Sequence, residues 1–414
     1  MAGVVDAAVA PAEQPRPAAR AVPPVLGAGA IAFAHAVNDS YAYILPPLLP
    51  VLLAQSGITL GMGASLVSLQ LLVSSVLQPL IGHWADQTGG GRWMSWSGVL
   101  LSGLGAAALG YAPGFAGLGL AMMITGAGTA VFHPVSAALV AQAAPPAQRG
   151  FWMSAYISAG NLGLGLGPLL VGLVLIQGGG AAGTGGASGL GSTWILFVPA
   201  AITAALVWRL APTRPGRRGA TTSPVRALFR QHWRLLVVLV SVVAVRSWAS
   251  TSLSTFLPVL ATRHGAEPAQ AAGVLTVFLI SGGLGGLVGG AAADRLGRDR
   301  VVIGSLLLSV PFGVYLGVVG WFDLSVWLAA AAVGFFLNGS WVSLTVRAQE
   351  SIPGSIAMLS GLMLGLSIGL GGLAVTPIGI LAEQIGLGTV LTGVACLPLL
   401  AALMMRFLPR TQRG

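Results

Sequence analysis

The feature that most constrains this chain is a series of long apolar segments separated by short polar turns. A helix needs about 20 apolar residues to cross the hydrocarbon core of a bilayer, and its backbone must satisfy its own hydrogen bonds there. The pattern therefore predicts an all-α integral membrane protein with twelve transmembrane helices. The predicted spans, numbered 1 to 12, are 27–54, 62–84, 93–112, 115–142, 150–176, 192–211, 235–262, 270–292, 301–320, 324–346, 354–382 and 386–408.

The composition excludes soluble classes of protein. Only 7% of the 414 residues are charged and 55% are hydrophobic, whereas an average soluble domain carries about 25% charged residues. Ten acidic and twenty basic side chains cannot cover a water-facing globule of this size. We therefore exclude a soluble enzyme, a nucleic-acid-binding domain and a disordered chain, and we expect membrane lipid, not nucleic acid, around the basic excess.

The positions of the arginines predict the orientation. All twenty basic residues are arginine, and with a cytoplasmic N-terminus 18 of them fall in cytoplasmic segments. The exceptions are Arg263, outside, and Arg246, within a span. Cytoplasmic loops are enriched in basic residues. We therefore expect a multi-pass protein of a bacterial inner (plasma) membrane with both termini in the cytoplasm.

The chain also repeats itself with an offset of about 208 residues. GHWADQTGGGR (82–92) follows span 2, and GAAADRLGRDR (290–300) follows span 8. Duplicated halves are typical of secondary transporters. We predict a disordered cytoplasmic tail (1–25), an N-terminal six-helix half (26–211), a basic cytoplasmic linker (212–234), a pseudo-symmetric C-terminal six-helix half (235–408) and a cytoplasmic tail (409–414).

The repeated segments resemble the signature loop of the major facilitator superfamily, G-x-x-x-D followed by Gly and Arg. The first copy departs from it, with Gln87 where a basic residue is usual. A carboxylate there can cap a neighbouring helix or pair with arginine, latching the halves while the cytoplasmic side is closed; the alternative is a short turn with solvated charges. The expected gate residues are Gly82, Asp86, Arg92, Gly290, Asp294, Arg295 and Arg298.

Within that superfamily the chain resembles the fosmidomycin-resistance group of efflux proteins. HAVNDSY in span 1, FHP in span 4, RSW and TFLP in span 7 and QESIPGSIAMLSGLMLGLSIGLGG entering span 11 carry the resemblance. Val135 departs from it, because the group commonly has an acidic residue after His-Pro. GPLLVG in span 5 resembles the Gly-Pro motif of proton-coupled exporters, so Gly167 and Pro168 are expected to bend span 5 where it packs against the other half.

Ionisable residues at membrane depth are costly and usually mark a transport pathway. His35 and Asp39 in span 1, His133 in span 4 and Arg246 in span 7 lie at this depth. The resemblance implies that spans 1, 4, 7 and 10 line a central cavity. We expect Asp39, His35 and His133 to couple transport to protons, because an Asp–His pair binds and releases protons near neutral pH.

Arg246 is expected to bind substrate, because its forked donors suit phosphonate or carboxylate oxygens. Alternatively it pairs with Asp39, since the two are 207 residues apart and occupy almost equivalent places in the two halves. Alternatively, His133 only hydrogen-bonds a backbone group that Pro134 leaves without its helical partner. The aromatic residues have the alternative role of packing between helices. The expected substrate-binding residues are Arg246, Asn38, Tyr43, Phe132, Asn338, Trp248 and Trp341.

The sequence offers no sign of an enzyme or of ATP use. It has no P-loop, HExxH or CxxC motif, Cys396 is its single cysteine, and His35 and His133 alone do not make a metal site. The remaining energy source is an ion gradient, and the Asp–His pair favours protons over sodium. We expect no cofactor and no metal, and a monomer whose partners are protons, lipid and a small-molecule substrate.

These expectations combine into one function. The chain is expected to be a proton-coupled secondary active transporter, an efflux antiporter for a small polar, anionic or amphipathic drug or metabolite. A proton-coupled importer that uses the same residues remains an alternative. A second alternative is a non-transporting sensor with a transporter fold. A third is an integral membrane enzyme, but the sequence lacks clustered catalytic carboxylates or metal ligands.

Overall fold

The computed structural model of the protein describes residues 23–88, 90–177, 188–212, 225–351 and 356–408. Most of the predicted N-terminal tail, about half of the predicted linker and all of the predicted C-terminal tail lie outside these ranges. The predicted boundaries of those three regions therefore stay predictions.

All twelve predicted spans are helical, which confirms the twelve-helix membrane fold. Ten of these helices are by themselves long and apolar enough to cross a membrane. Spans 1 and 3 are not among the ten; span 1 is broken, and the α-helix of span 3 is 17 residues long. Spans 1 to 12 comprise Pro24–Ser40 with Leu45–Gln55, Leu60–Thr88, Arg92–Ala108, Gly114–Ala143, Arg149–Gln177, Phe197–Leu210, Val225–Arg263, Pro268–Leu296, Arg298–Val318, Leu324–Ser351, Ile356–Ile385 and Leu387–Met404. A short helix, Ser188–Gly191, and 3-10 turns at Tyr41–Tyr43, Leu109–Tyr111, Pro146–Gln148, Thr193–Leu196 and Met405–Phe407 lie between or at the ends of them.

The break in span 1 is a local consequence of its prolines. Pro46 and Pro47 begin the second helix, and proline lacks an N–H and disfavours helical backbone in the residue before it. The Tyr41 hydroxyl, at the break, donates to the carbonyl of Leu196, in the 3-10 turn before span 6, at 2.7 Å. Asp39 therefore lies in the last turn of the first helix, one residue before the end of regular α-helix.

The packing of the helices repeats between the halves. In the N-terminal half, span 2 packs on span 4, span 3 on spans 4 and 6, and span 1 on spans 5 and 6. In the C-terminal half, span 8 packs on span 10, span 9 on spans 10 and 12, and span 7 on spans 11 and 12. The halves meet mainly where span 2 contacts span 11 and span 5 contacts span 8. Each pair maps onto its counterpart by a shift of six spans, which is the expected pseudo-symmetry.

Hydrogen bonds join the halves along the first part of span 2. We call the side where span 1 begins and span 12 ends the termini side, and the opposite side the far side. At the far side the Gly61 N–H donates to the Glu383 carboxylate of span 11 at 2.6 Å. Deeper in the bundle, the Ser68 hydroxyl donates to the carbonyl of Gly372 at 2.6 Å. These described contacts hold the halves together from the far side to the middle of the bundle.

Span 5 packs differently from the expectation. It is one continuous helix with Pro168 inside it. A Cβ on Gly167 would overlap the carbonyl oxygen of Ser40, so Gly167 packs on span 1 of its own half, not on the other half. Gly165 contacts Ile280 of span 8 instead. Residues two apart on a helix lie on nearly opposite faces, and this places Gly165, not Gly167, at the interface between halves.

Candidate functional site

The buried carboxylate of Asp39 contacts two imidazoles. Its Oδ2 lies 3.2 Å from His35 Nε2, one turn earlier on span 1, and its Oδ1 lies 3.1 Å from His133 Nε2 on span 4. We call His35, Asp39 and His133 the Asp39 triad. The side chains of His35 and Asp39 are about nine-tenths buried, whereas that of His133 is 24% exposed. The triad therefore has one open edge, formed by His133.

Span 5 holds His35 in place. His35 Nδ1 lies 2.7 Å from the carbonyl oxygen of Tyr156, and the two rings stack with centroids 3.9 Å apart. The Tyr156 hydroxyl bonds Ser136 of span 4 at 2.7 Å. A Cβ on Gly160 would overlap the His35 ring, so only glycine leaves room for the ring at this place.

These contacts require a cation between His35 and Asp39. A carbonyl oxygen only accepts hydrogen bonds, so Nδ1 of His35 carries a proton. In a neutral imidazole Nε2 is then an acceptor too, and an ionised carboxylate 3.2 Å away would repel it. A positive charge, in the simplest case a second proton, must therefore lie between His35 Nε2 and the carboxylate.

Two residues expected to bind substrate instead support the triad. The Asn38 amide donates to Asp39 Oδ1 at 3.3 Å and accepts from the Ser102 hydroxyl at 3.0 Å. Phe132 is fully buried, and its ring stacks against that of His35 with centroids 6.0 Å apart. Asn38 is also fully buried, and the expected role of both residues in substrate binding stays a prediction.

Arg246 lies in a separate place, in the C-terminal half. Its guanidinium carbon is 4.7 Å from the ring centroid of Trp341, a cation–π contact. Its hydrogen bonds are long: 3.4 Å to the carbonyl of Leu337 and 3.5 Å to the Ser367 hydroxyl. Nε is buried and has no partner within the described residues. The guanidinium thus keeps unused donor capacity. Tyr43 lies in the break in span 1 and is half-buried against the hydrophobic core.

The alternative pairing of Asp39 with Arg246 is not formed. In the described part of the chain Asp39 forms ion pairs with the two histidines, and no ion pair of Arg246 is found. The offset in sequence predicts almost equivalent positions in the two halves, but equivalent positions need not be in contact. Each side chain instead meets a ring on a neighbouring helix of its own half.

The other two candidates are tied to their own half. Trp248, 37% exposed, donates from Nε1 to the carbonyl of Leu370 in span 11 at 2.9 Å. The Asn338 amide donates to Gly334 one turn earlier at 3.2 Å and accepts from Ser250 at 3.5 Å. These contacts leave Trp248 partly accessible and place Asn338 beside span 7.

The signature loops are equivalent in packing. A Cβ on Gly82 would lie 3.4 Å from Pro134, and one on Gly290 would lie 3.4 Å from Val342. Both residues of the second pair lie 208 positions after those of the first. The Gly82 copy borders a cavity of about 140 Å³ between spans 2 and 4. The side chain of Asp86 lies outside the part of the protein that is described, so its expected role stays a prediction.

The second loop forms ion pairs within the C-terminal half. Asp294 pairs with Arg298 at 2.7 Å, and Arg298 also contacts Glu350 of span 10 at 3.4 Å. Arg347, 2% exposed, pairs with Asp299 at 2.8 Å. The pairing of Asp294 with arginine thus matches the expectation, but its partner is local and does not latch the halves in this conformation. Arg92 is half-buried and Arg295 exposed.

Some contributors were not predicted. Tyr156 contacts His35 through its backbone carbonyl, a contact that the sequence pattern does not predict. Arg347 is counted in the sequence only among the cytoplasmic arginines, whereas in the structure it pairs with Asp299. The sequence predicts no metal site from the two histidines alone, but in the structure Asp39 adds a third possible metal ligand. Two Nε2 atoms and a carboxylate oxygen lie within 4.8 Å of one another, a spacing that can hold a metal ion.

Comparison with known proteins identifies the family. The sequence model of the Major Facilitator Superfamily matches residues 31–376. The chain is 30% identical to the fosmidomycin resistance protein of Escherichia coli (strain K12), over 97% of this chain and 98% of that protein. It is 29% identical to the MFS-type transporter YfnC of Bacillus subtilis (strain 168), over 92% of each.

A solved structure has the same fold. It is a bacterial homolog of the human lysosomal transporter Spinster in an inward-facing, unoccupied conformation. The likeness has a TM-score of 0.79 and 15% identity, and it covers 93% of this chain and 97% of that one. The sequence match, the repeated helix packing and this structural likeness agree: the chain belongs to the Major Facilitator Superfamily.

Proposed function

We propose that this member of the superfamily is a proton-coupled antiporter that exports a small polar, anionic or amphipathic compound by alternating access. The observation that carries the proposal is the Asp39 triad. A buried carboxylate costs several kcal/mol unless it is paired, and the geometry at His35 demands a cation beside it. Proton uptake and release at this place supplies the coupling that an antiporter needs.

Arg246 supports an anionic substrate. A guanidinium binds carboxylate or phosphonate oxygens through charge-assisted hydrogen bonds, frequently in pairs. Its present bonds to neutral groups are 3.4 and 3.5 Å long, so an anion can replace them with shorter ones. Fosmidomycin, named in the Escherichia coli relative, is a phosphonate and is the first compound to test.

Alternating access follows from the way the halves meet. Span 2 with span 11 and span 5 with span 8 form the largest contacts between the halves, and the second helix of span 1 adds contacts with spans 7 and 8. The bonds of Gly61 to Glu383 and of Ser68 to Gly372 close the far side. Breaking these bonds would open the far side, which is one of the two movements that alternating access requires. The cycle then exchanges a proton for substrate across the membrane.

The direction of export depends on the orientation, which we propose to be cytoplasmic for both termini of a bacterial inner-membrane protein. In a background lacking Cys396, a cysteine at Ser188 should react with an impermeant thiol reagent added to intact cells. A cysteine at Ala220 should react only after the membrane is opened. The reverse pattern would overturn the orientation.

Proton flux in proteoliposomes tests the function. Purified protein is reconstituted with a pH-sensitive dye inside, and fosmidomycin followed by a panel of anionic and neutral compounds is added outside. Protons moving against the substrate establish antiport, whereas protons moving with it establish the importer. Protein-free liposomes serve as the control for passive proton leak across the membrane. Absence of substrate-dependent flux across the panel would contradict transport and favour the sensor.

A further inference from the structure

We propose that the Asp39 triad also binds a divalent transition-metal ion of the Zn²⁺ class. The ligands are Nε2 of His35, Nε2 of His133 and the carboxylate of Asp39. The proposal concerns equilibrium binding to the protein and does not depend on the proposed transport function. It is based on the types of the three ligand atoms, on their spacing, and on the hydrogen bond between His35 Nδ1 and the Tyr156 carbonyl.

The donor atoms have the spacing of a metal site. Zn²⁺ binds imidazole nitrogen and carboxylate oxygen at about 2.0–2.2 Å, so neighbouring ligands of a tetrahedral ion are about 3.3 Å apart. Asp39 lies 3.2 Å from His35 Nε2 and 3.1 Å from His133 Nε2. All three donors lie within 4.8 Å of one another. The carboxylate thus presents one oxygen to each imidazole, and an ion bound by all three side chains would draw the donors together.

The surroundings of His35 match those of a metal ligand. A histidine that binds a metal usually donates its other ring N–H to a carbonyl or carboxylate, which fixes the ring and its tautomer. His35 Nδ1 faces the carbonyl oxygen of Tyr156 at 2.7 Å, so the Nε2 lone pair points at the carboxylate. The cation that this geometry requires can therefore be a metal ion as well as a proton.

Charge and access also favour a dication. Asp39 carries the negative charge of the triad, and within the described residues its ion-pair partners are the two imidazoles, not an arginine. His133 is 24% exposed, so the triad is not fully enclosed by protein. Two imidazoles and one carboxylate suit Zn²⁺, Co²⁺ or Ni²⁺, whereas Mg²⁺ prefers an all-oxygen set.

The test is calorimetric titration of the purified full-length protein with Zn²⁺ after treatment with a chelator. We expect one site, and at least a tenfold loss of affinity in His133→Ala and in Asp39→Asn. His264→Ala removes a histidine in the loop after span 7 and should bind Zn²⁺ as the wild type does. Mg²⁺ should give no binding. Thermal melting without metal confirms that each variant is folded.

Two results would overturn the proposal: no binding of Zn²⁺ to the folded wild type, or binding that His133→Ala and Asp39→Asn leave unchanged. The result is separate from that of the proposed function. Proton-driven transport in the presence of chelator, without Zn²⁺ binding, would refute the metal site alone. Zn²⁺ binding to a protein that moves no protons would support the metal site and refute the antiporter.

Discussion

The two halves place a charged side chain against a ring at equivalent positions, but the charges are opposite. In the N-terminal half Asp39 of span 1 contacts the imidazole of His133 on span 4 at 3.1 Å. In the C-terminal half Arg246 of span 7 lies 4.7 Å from the indole of Trp341 on span 10. Asp39 and Arg246 are 207 residues apart, and His133 and Trp341 are 208 apart. The repeat has kept the arrangement and changed its chemistry.

We propose that this difference gives the two halves separate tasks. An imidazole exchanges protons near neutral pH, whereas an indole has only a donor N–H and leaves a guanidinium charged. The N-terminal pair can therefore take up and release a cation. The C-terminal pair keeps a permanent positive charge that suits an anion. We infer that the two halves couple the exchange of a proton to the binding of an anion.

The largest effect is expected from Asp39→Asn. Asparagine keeps the shape and the contact with Asn38 but cannot titrate, so uphill transport driven by a pH gradient should fall at least 100-fold. Downhill exchange of substrate should persist, because Arg246 is untouched. Both are measured in the same vesicles, with and without an imposed gradient. Full gradient-driven transport by this variant would remove Asp39 from the coupling mechanism.

Arg246→Lys should have the next largest effect. Lysine keeps the charge but loses the forked donors and the flat stacking face on Trp341. Loss of one charge-assisted hydrogen bond costs about 1.5–3 kcal/mol, so anion affinity should fall about 10- to 100-fold while the dependence on the pH gradient stays. Arg209→Lys, at the exposed end of span 6, is the matched control. Unchanged anion affinity in Arg246→Lys would show that Arg246 of the C-terminal half does not bind the anion through its forked donors.

A smaller effect is expected from Gly160→Ala. The added Cβ would meet the His35 ring, so the ring must shift relative to Asp39. We expect gradient-driven transport to fall about three- to tenfold with a displaced pH optimum, and anion affinity to stay within twofold. Gly304→Ala on span 9 is the control, because its Cβ would meet no atom within 4 Å. Equal effects of the two variants would show that His35 is not positioned by span 5.

The sequence predicted the fold well because long apolar segments leave only helices as a solution in lipid. The repeat of 208 residues predicted the pseudo-symmetry as well. The break at Tyr41–Tyr43 was missed, although Pro46 and Pro47 are a local signal for it. The apolar pattern continues through the break, so hydropathy alone cannot detect it.

The site was predicted in part. His35 and Asp39 share a helix face by spacing, and the structure adds His133 to the same cluster. The pairing of Asp39 with Arg246 failed because equivalence in sequence does not bring two halves into contact. The role of Tyr156 could not be predicted, since a backbone carbonyl accepts the bond from His35. Contacts between distant helices depend on the packing of glycines such as Gly160, which the sequence does not locate.

The most direct test is the affinity of the transported compound as a function of pH, measured between pH 5.5 and 8.5 on purified protein. In an antiporter proton and substrate compete, and linkage requires each to weaken the other. The account predicts that wild-type affinity falls as pH is lowered, and that Asp39→Asn shows only the pH dependence of the compound itself. Affinity that rises at low pH in the wild type, or an unchanged pH dependence in Asp39→Asn, would contradict it.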